Sequence, residues 1–221
     1  MIVALRLNGR INLAPPAVVE PVRKIVRAYF RVFHSTRFTG RENLPPPGAA
    51  IFAPNHQTYY DPPLVVAGQD LPMKIMAWEA LFHVRWFARL ISDWGAFPVD
   101  PEGRDPGGYR ACLEVLKRGE RVLIFPEGAR SYDGRLLPLR AGVARLAIRT
   151  GAPICPVRVT GGEAAWNRTE RFPRPWFPMQ VHYCKCIRPR PASAAEERKA
   201  ETERIMGELR AALSGGEIAR D

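Results

Sequence analysis

Two short apolar runs that end abruptly in polar and charged residues constrain the fold of this chain most. Ile51-Phe52-Ala53 runs into Pro54-Asn55-His56, and Arg121-Val122-Leu123-Ile124-Phe125 opens into Pro126-Glu127-Gly128-Ala129-Arg130-Ser131. The second run is continuously apolar rather than alternating, the pattern of a strand covered on both faces. Residues 152–159 form another such stretch, in which Pro156 argues for a strand end or an edge. Between these runs lie segments of helical periodicity, 107–118 with Tyr109, Leu113 and Leu116 on one side and 142–150 closed by Gly151. Strands alternating with helices predict an α/β fold, a single domain with a mixed sheet flanked by helices. Sites in such folds gather at strand ends, where His56, Asp100, Glu127 and Arg130 all fall.

His56 and Asp61 are five positions apart, an interval that regular structure turns against. On a helix it rotates the two by about 140°, and on a strand it sends them to opposite faces. A strand-turn-helix junction brings them together, with Asp61 at the N-cap and Pro62 in the first turn. Asp61 then accepts a hydrogen bond from one ring nitrogen of His56, fixing the tautomer and leaving the other nitrogen as a general base. The ordinary alternative is a satisfied polar pair with no chemistry.

The chain has 221 residues and a formal net charge of +11, with 46% hydrophobic residues. That is enough for a real core, and the charge favours anionic partners: nucleic acid, an acidic membrane surface, an acidic carrier protein or a phosphorylated substrate. No RNP, helix-turn-helix or zinc pattern supports nucleic acid. The four cysteines, Cys112, Cys155, Cys184 and Cys186, follow no signal peptide, so the expectation is reduced thiols. Cys184, Cys186 and His182 share one face of a strand, too few ligands for a metal site, and none is expected.

From 17 to 38, Val18, Val22, Ile25, Val26, Tyr29 and Phe33 recur at helical spacing, with Arg23, Lys24, Arg27 and Arg31 on other faces. This N-terminal basic amphipathic helix either packs its stripe on the domain or lies on anionic lipid. Pro15-Pro16 starts it and Pro45-Pro46-Pro47-Gly48 closes the segment, so residues 1–48 read as a membrane-associating piece and 49–221 as the catalytic domain. Helices are further expected over 62–69 and 79–91, and strands over 73–77 and 179–187. A proline- and aromatic-rich loop spans 166–178. Ser193 and Glu196 form a capping box that starts a charged helix to 213.

Asn55-His56-Gln57-Thr58-Tyr59-Tyr60-Asp61-Pro62 resembles the N-H-x-S/T-x-x-D-P block of the glycerolipid acyltransferases, the family of lysophosphatidic acid acyltransferase. Phe125 to Ser131 is similar to that family's F-P-E-G-T-R-S block with Ala129 for threonine. Residues 94–101 look like its G-x-x-x-V/I-D-R strand end, and 152–159 like its V/I-x-P-V/I element. The resemblance covers about 48–159. It implies transfer of a fatty acyl group from a thioester, acyl-CoA or acyl-carrier protein, to a lysophospholipid hydroxyl, 1-acyl-glycerol-3-phosphate first among them, with no other cofactor. Another hydroxylated lipid acceptor and a non-catalytic lipid-binding relative stay open. His56 and Asp61 are the implied catalytic pair, and Asn55, Glu127, Gly128 and Arg130 bind substrate. Two family cations are missing, since Pro101 and Trp78 stand at their positions, so Arg104, Lys74 and Arg140 are candidate substitutes around a phosphate. The family works at membranes, which implies peripheral attachment at a cytoplasmic, anionic face.

Overall fold

The apolar runs become neighbouring strands. The computed structural model describes residues 16–100, 107–167 and 169–215. In chain order these form α1 (Pro16–His34), β1 (Arg37–Thr39), β2 (Ala50–Pro54), α2 (Asp61–Gly68), β3 (Lys74–Trp78), α3 (Arg85–Asp93) and β4 (Ala96–Val99). There follow α4 (Gly107–Lys117), β5 (Arg121–Leu123), α5 (Gly142–Thr150), β6 (Ile154–Thr160), α6 (Gly162–Ala165), β7 (Gln180–Tyr183) and α7 (Ala195–Leu213). One seven-stranded sheet takes the order β1-β7-β6-β2-β5-β3-β4. β6, β2, β5, β3 and β4 are parallel, with Phe52 opposite Leu123 and Ala53 opposite Pro156. β7 runs antiparallel to β6 and β1 parallel to β7, which makes the sheet mixed.

Successive side chains of a strand point to opposite faces, so β2 and β5 each feed two cores. Ile51, Ala53 and Val122 meet Leu113, Leu146 and Leu209 of α4, α5 and α7 on one side. Phe52 and Leu123 meet Phe30, Leu64 and Val65 of α1 and α2 on the other. All five strand residues are fully buried. Truncating a buried phenylalanine such as Phe52 to alanine costs about 3–5 kcal/mol.

Four expectations are corrected. The first helix stops at His34 instead of 38, because Arg37, Phe38 and Thr39 pair with Gln180, Val181 and His182 as β1. The described part of residues 1–48, from residue 16, packs with the rest of the chain. Phe30 is in the core, and β1 completes the sheet edge. Pro15 and the side chain of Val18 lie outside the described residues. Residues 79–91 are not one helix but a 3-10 turn, Glu79–Phe82, followed by α3, with Val84 extended between them. Phe82 and Ile91 pack inward while Trp86 and Leu90 face out, so the apolar residues share no single stripe.

Pro156 lies in the interior strand β6 rather than at an edge. Cys184 N–H donates to its carbonyl, and Ile154 exchanges hydrogen bonds with Ile187, so an extra residue bulges opposite Cys155. The proline's missing N–H falls where regular pairing with β7 has already ended, which is how an interior strand tolerates it. At α7 the N-cap is Ala194 instead of Ser193, and Glu197 accepts the N–H groups of Ser193 and Ala194. Among the described residues no helix is long and apolar enough to cross a membrane.

Candidate active site

β2 ends at Pro54, and the chain turns through residues 55–60 before α2 begins. Asp61, expected at the N-cap, is instead the first residue of α2, with Tyr60 capping. Pro62 and Pro63 have no N–H and the Leu64 N–H goes to the Tyr60 carbonyl, so a carboxylate facing forward would find no free donor in the first turn. Asp61 faces back instead. Its Oδ2 accepts the N–H of Gln57 at 2.6 Å and of Thr58 at 2.8 Å, and lies 2.8 Å from Nδ1 of His56. A carboxylate opposite Nδ1 puts the imidazole proton there, so Nε2 of the neutral ring carries the lone pair. The ring stacks on Phe125, centroids 3.8 Å apart and planes 22° from parallel. Asp61 is fully buried and the His56 side chain keeps 17% of its surface exposed, so the orienting group is dry and the candidate base is reachable.

The loop after β5 grips the same histidine from behind. Glu127 Oε1 accepts the N–H of His56 at 2.6 Å, and Oε2 accepts the N–H of Leu137 at 2.7 Å. Ser131 N–H donates to the His56 carbonyl at 2.8 Å. Glu127 therefore ties the main chain of the first loop to that of the second. Burial pushes its carboxyl up to about 7, against the two backbone N–H donors and with help from the charge of Asp61. Gly128 adopts a left-handed conformation (φ 72°), and an added Cβ would come within 2.7 Å of Arg140 Nε. Only glycine lets Arg140 lie this close to the turn.

The remaining candidates divide. Arg130 sits at the carboxyl end of β5, its guanidinium 3.5 Å from the centre of the Tyr59 ring, while Tyr59 packs at 5.0 Å on Trp166. Arg140 is exposed beside Gly128. Asn55 has its amide committed to both the N–H and the carbonyl of Val159, at 2.7 and 2.8 Å, so it ties the turn to β6. Lys74 is at the amino end of β3, the far end of the sheet from His56, buried and 3.7 Å from Glu120. That placement removes it as a helper for a phosphate near Arg130. Asp100 follows β4 at the sheet edge, two strands from β5. Arg104 and Pro101 lie outside the described residues.

Sequence reasoning missed three contributors. Phe125 reads as one more core residue, yet it is the platform for the His56 ring. Tyr59 occupies a variable position of the first block and gives no signal of its contact with Arg130. Gly162, at the start of α6, approaches so closely that a Cβ there would meet Thr58 Cγ2 at 2.8 Å. The Gly161-Gly162 doublet after a buried strand was the available sign. Among the described residues no three histidine, cysteine or acidic side chains gather as a metal site. His182 Nδ1 instead pairs with the Thr39 hydroxyl, and the four cysteines are free thiols.

The family model described as Acyltransferase matches residues 35–160. A chloroplastic 1-acyl-sn-glycerol-3-phosphate acyltransferase of Brassica napus is 33% identical over 134 residues, 58% of this chain and 38% of that protein. The 1-acyl-sn-glycerol-3-phosphate acyltransferase of Bacillus subtilis (strain 168) is 33% identical over 124 residues, 55% of this chain and 60% of that protein. The chain thus matches less than two thirds of the length of either relative. The crystal structure of the 1-acyl-sn-glycerophosphate (LPA) acyltransferase from Thermotoga maritima aligns with a TM-score of 0.65 and 27% identity, over 88% of this chain and 80% of that one. The match spans β1 to β6, including both loops that meet at His56, and the chain belongs to the acyltransferase family that includes these 1-acyl-sn-glycerol-3-phosphate acyltransferases.

Proposed function

We propose that this chain transfers a fatty acyl group from an acyl thioester to the free hydroxyl of 1-acyl-glycerol-3-phosphate, giving phosphatidic acid. The observation that carries the chemistry is the convergence of three donors, two of them backbone N–H groups, on Asp61 Oδ2. A carboxylate held that firmly fixes both the tautomer and the direction of His56. His56 Nε2 removes the proton of the acceptor hydroxyl as its oxygen attacks the thioester carbonyl. The tetrahedral oxyanion collapses by breaking the C–S bond, and the thiolate leaves and takes a proton, which His56 can return. No acyl-enzyme forms. Ser131, the nearest hydroxyl in the second block, bonds Asp133 and is buried. The donor is acyl-CoA or acyl-carrier protein, and no other cofactor takes part.

The relatives, 1-acyl-sn-glycerol-3-phosphate acyltransferases, support the acceptor, and Arg130, held on the Tyr59 ring, is the cation we assign to its phosphate. Arg140 is its helper. A second reading, another hydroxyl-bearing lipid as acceptor, is favoured by Trp78, which is 54% exposed where a lysine is common in the family.

Attachment to an anionic membrane, peripheral and on its cytoplasmic face, goes with either acceptor. The cations first read as lipid-facing are divided: Arg23 is buried against Glu20, and Arg27 binds the carbonyls of Ala67 and Gln69 at the end of α2, together with Asp70. Lys24 and Arg31 remain on the outer face of α1 beside Ile25, Val32 and Phe33, all exposed. The test is acyl transfer by the purified chain from labelled acyl-CoA and acyl-carrier protein to a panel of lysolipids. Preferred acylation of 1-acyl-glycerol-3-phosphate is expected. Transfer to no lysolipid from either donor would end the reading, and preference for an acceptor without a phosphomonoester would replace it with the second.

A further inference from the structure

The two helical layers covering the sheet treat water differently. α4, α5 and α7 pack on one face, and none of them exposes a large apolar side chain among the described residues. α1, α2 and α3 cover the other face through Phe30, Leu64 and Ile91. On that side Ile25, Tyr29, Val32 and Phe33 of α1 are exposed, as are Trp78, Val84, Trp86 and Leu90 in and before α3. Scattered exposed apolar residues are ordinary, but a concentration on one layer marks an interaction surface.

α3 is the less expected half of this surface. Of its nine residues only Ala88 is buried, and its largest side chain, Trp86, is 72% exposed. Trp86 and Leu90 lie one turn apart, and Arg85 and Arg89 form an adjacent exposed stripe at the same spacing. A tryptophan and a leucine bordered by arginines make the pattern of a helix lying in a bilayer interface, with rings at the acyl boundary and guanidinium groups among phosphates. Because α3 returns from the carboxyl end of β3 to the start of β4, its Trp86 end is level with the carboxyl ends of β2 and β5, where His56 and Arg130 sit. The His34 end of α1 is at that same end, since β1, which follows it, runs opposite to the central strands.

We propose that the outer face of α3 is a lipid-contact element separate from α1, with Trp86 and Leu90 entering an anionic membrane surface and Arg85 and Arg89 meeting its headgroups. A lipid surface fits better than a second copy. Two such faces brought together would oppose Arg85 and Arg89 to themselves in a chain of net charge +11, with Glu79 and Asp93 the nearby acids. The inference does not depend on the chemistry at His56.

α5 supplies an internal control. Arg145 and Arg149 are exposed, one turn apart, on the opposite layer, and repeat the spacing of Arg85 and Arg89. The experiment is co-sedimentation of the purified full chain with vesicles of phosphatidylcholine alone or mixed with phosphatidylglycerol, at low and high salt. Trp86→Ser with Leu90→Ser should lower partitioning about tenfold or more on the anionic vesicles, with an unchanged melting temperature because both side chains are exposed. Arg85→Gln with Arg89→Gln should lower it by about tenfold on anionic vesicles at low salt and little at high salt. Arg145→Gln with Arg149→Gln, the same loss of charge, should change it little. Turnover of a short-chain, water-soluble acceptor should be unaffected in all three, which separates this surface from the site. The proposal is overturned if wild type binds no vesicles, if the α3 pairs bind as wild type does, or if the α5 pair weakens binding as much as Arg85 and Arg89. It is equally overturned if Trp86→Ser with Leu90→Ser halves the solution mass of the protein, which would make the face a contact between copies.

Discussion

The loops that follow β2 and β5 look alike in sequence, each carrying an acid and a basic side chain at a strand end, but the structure divides the work between them. In the first loop the acid turns back on a ring: Asp61 Oδ2 gathers His56 Nδ1 and two backbone donors. In the second the acid turns inward on the main chain: Glu127 spans from His56 N–H to Leu137 N–H. What decides the difference is the supply of donors. Pro62 and Pro63 have no N–H and the Leu64 N–H is taken by the Tyr60 carbonyl, while Glu127 finds two backbone donors in irregular chain, one after β2 and one further along its own loop. The first loop holds an imidazole in place, and the second holds the first loop.

The largest expected effect belongs to the first loop. His56→Ala should lower turnover by about 10²–10⁴-fold with the fold intact, and Asp61→Asn should approach it, because an amide oxygen cannot take the place of a carboxylate opposite three donors. Steady-state acyl transfer with matched circular dichroism and melting curves measures both. If Asp61→Asn were nearly wild type while His56→Ala was dead, the ring would need no orienting carboxylate and the contrast between the two acids would fail.

Next comes the cation of the second loop. Arg130→Ala should raise the KM for 1-acyl-glycerol-3-phosphate by about 10–150-fold, the loss of a charge-assisted contact of about 1.5–3 kcal/mol, and leave the donor KM alone. A lysolipid lacking the phosphomonoester should lose much less. Equal losses on both acceptors would reduce Arg130 to a structural part of its loop.

Glu127→Gln probes stability rather than substrate. Its amide nitrogen would face a backbone donor, so a loss of about 1–3 kcal/mol is expected in urea unfolding, with the acceptor KM little changed. The sign of the pH dependence follows from the raised carboxyl. Between the ordinary value near 4.5 and about 7 the folded chain holds this proton more tightly than the unfolded chain. Stability from this group is therefore greatest below about 4.5 and falls, by up to about 1.4 kcal/mol per pH unit, as pH rises through about 7. The glutamine variant should lack that part of the slope. An unchanged slope would mean that Glu127 is ionised throughout the range. The smallest effect is expected at Tyr59, where replacing the ring by leucine removes a cation–π contact worth about 0.5–1 kcal/mol and should raise the acceptor KM only about two- to fivefold.

Much of this was legible in the chain, unevenly. The doubly buried strands, the helices at 107 and 142 and the His56–Asp61 turn follow from apolar runs, glycine stops and an interval that only a turn can close. The direction of Glu127 was not legible, because which of many backbone donors a buried carboxylate meets depends on how two distant loops pack. Lys74 shows the same limit from the other side. It precedes a strand whose carboxyl end borders the site, but in a parallel strand the two ends are separate places, and its side chain belongs to the wrong one. The three-residue strand β1 is too short for any periodicity, and its existence is decided by its partner β7. In the same way the exposure of Trp86 could not be read from spacing, since an aromatic at helical intervals ordinarily faces a core.

The central claim, that His56 activates the acceptor for direct attack without an acyl-enzyme, is tested most directly by following thiol release from a labelled acyl thioester in a single turnover, with and without 1-acyl-glycerol-3-phosphate. Release should require the acceptor, match phosphatidic acid formed mole for mole, leave no label on the protein, and vanish to background in His56→Ala. A burst of thiol without acceptor, with the label covalently on Ser131 or a cysteine, would contradict it.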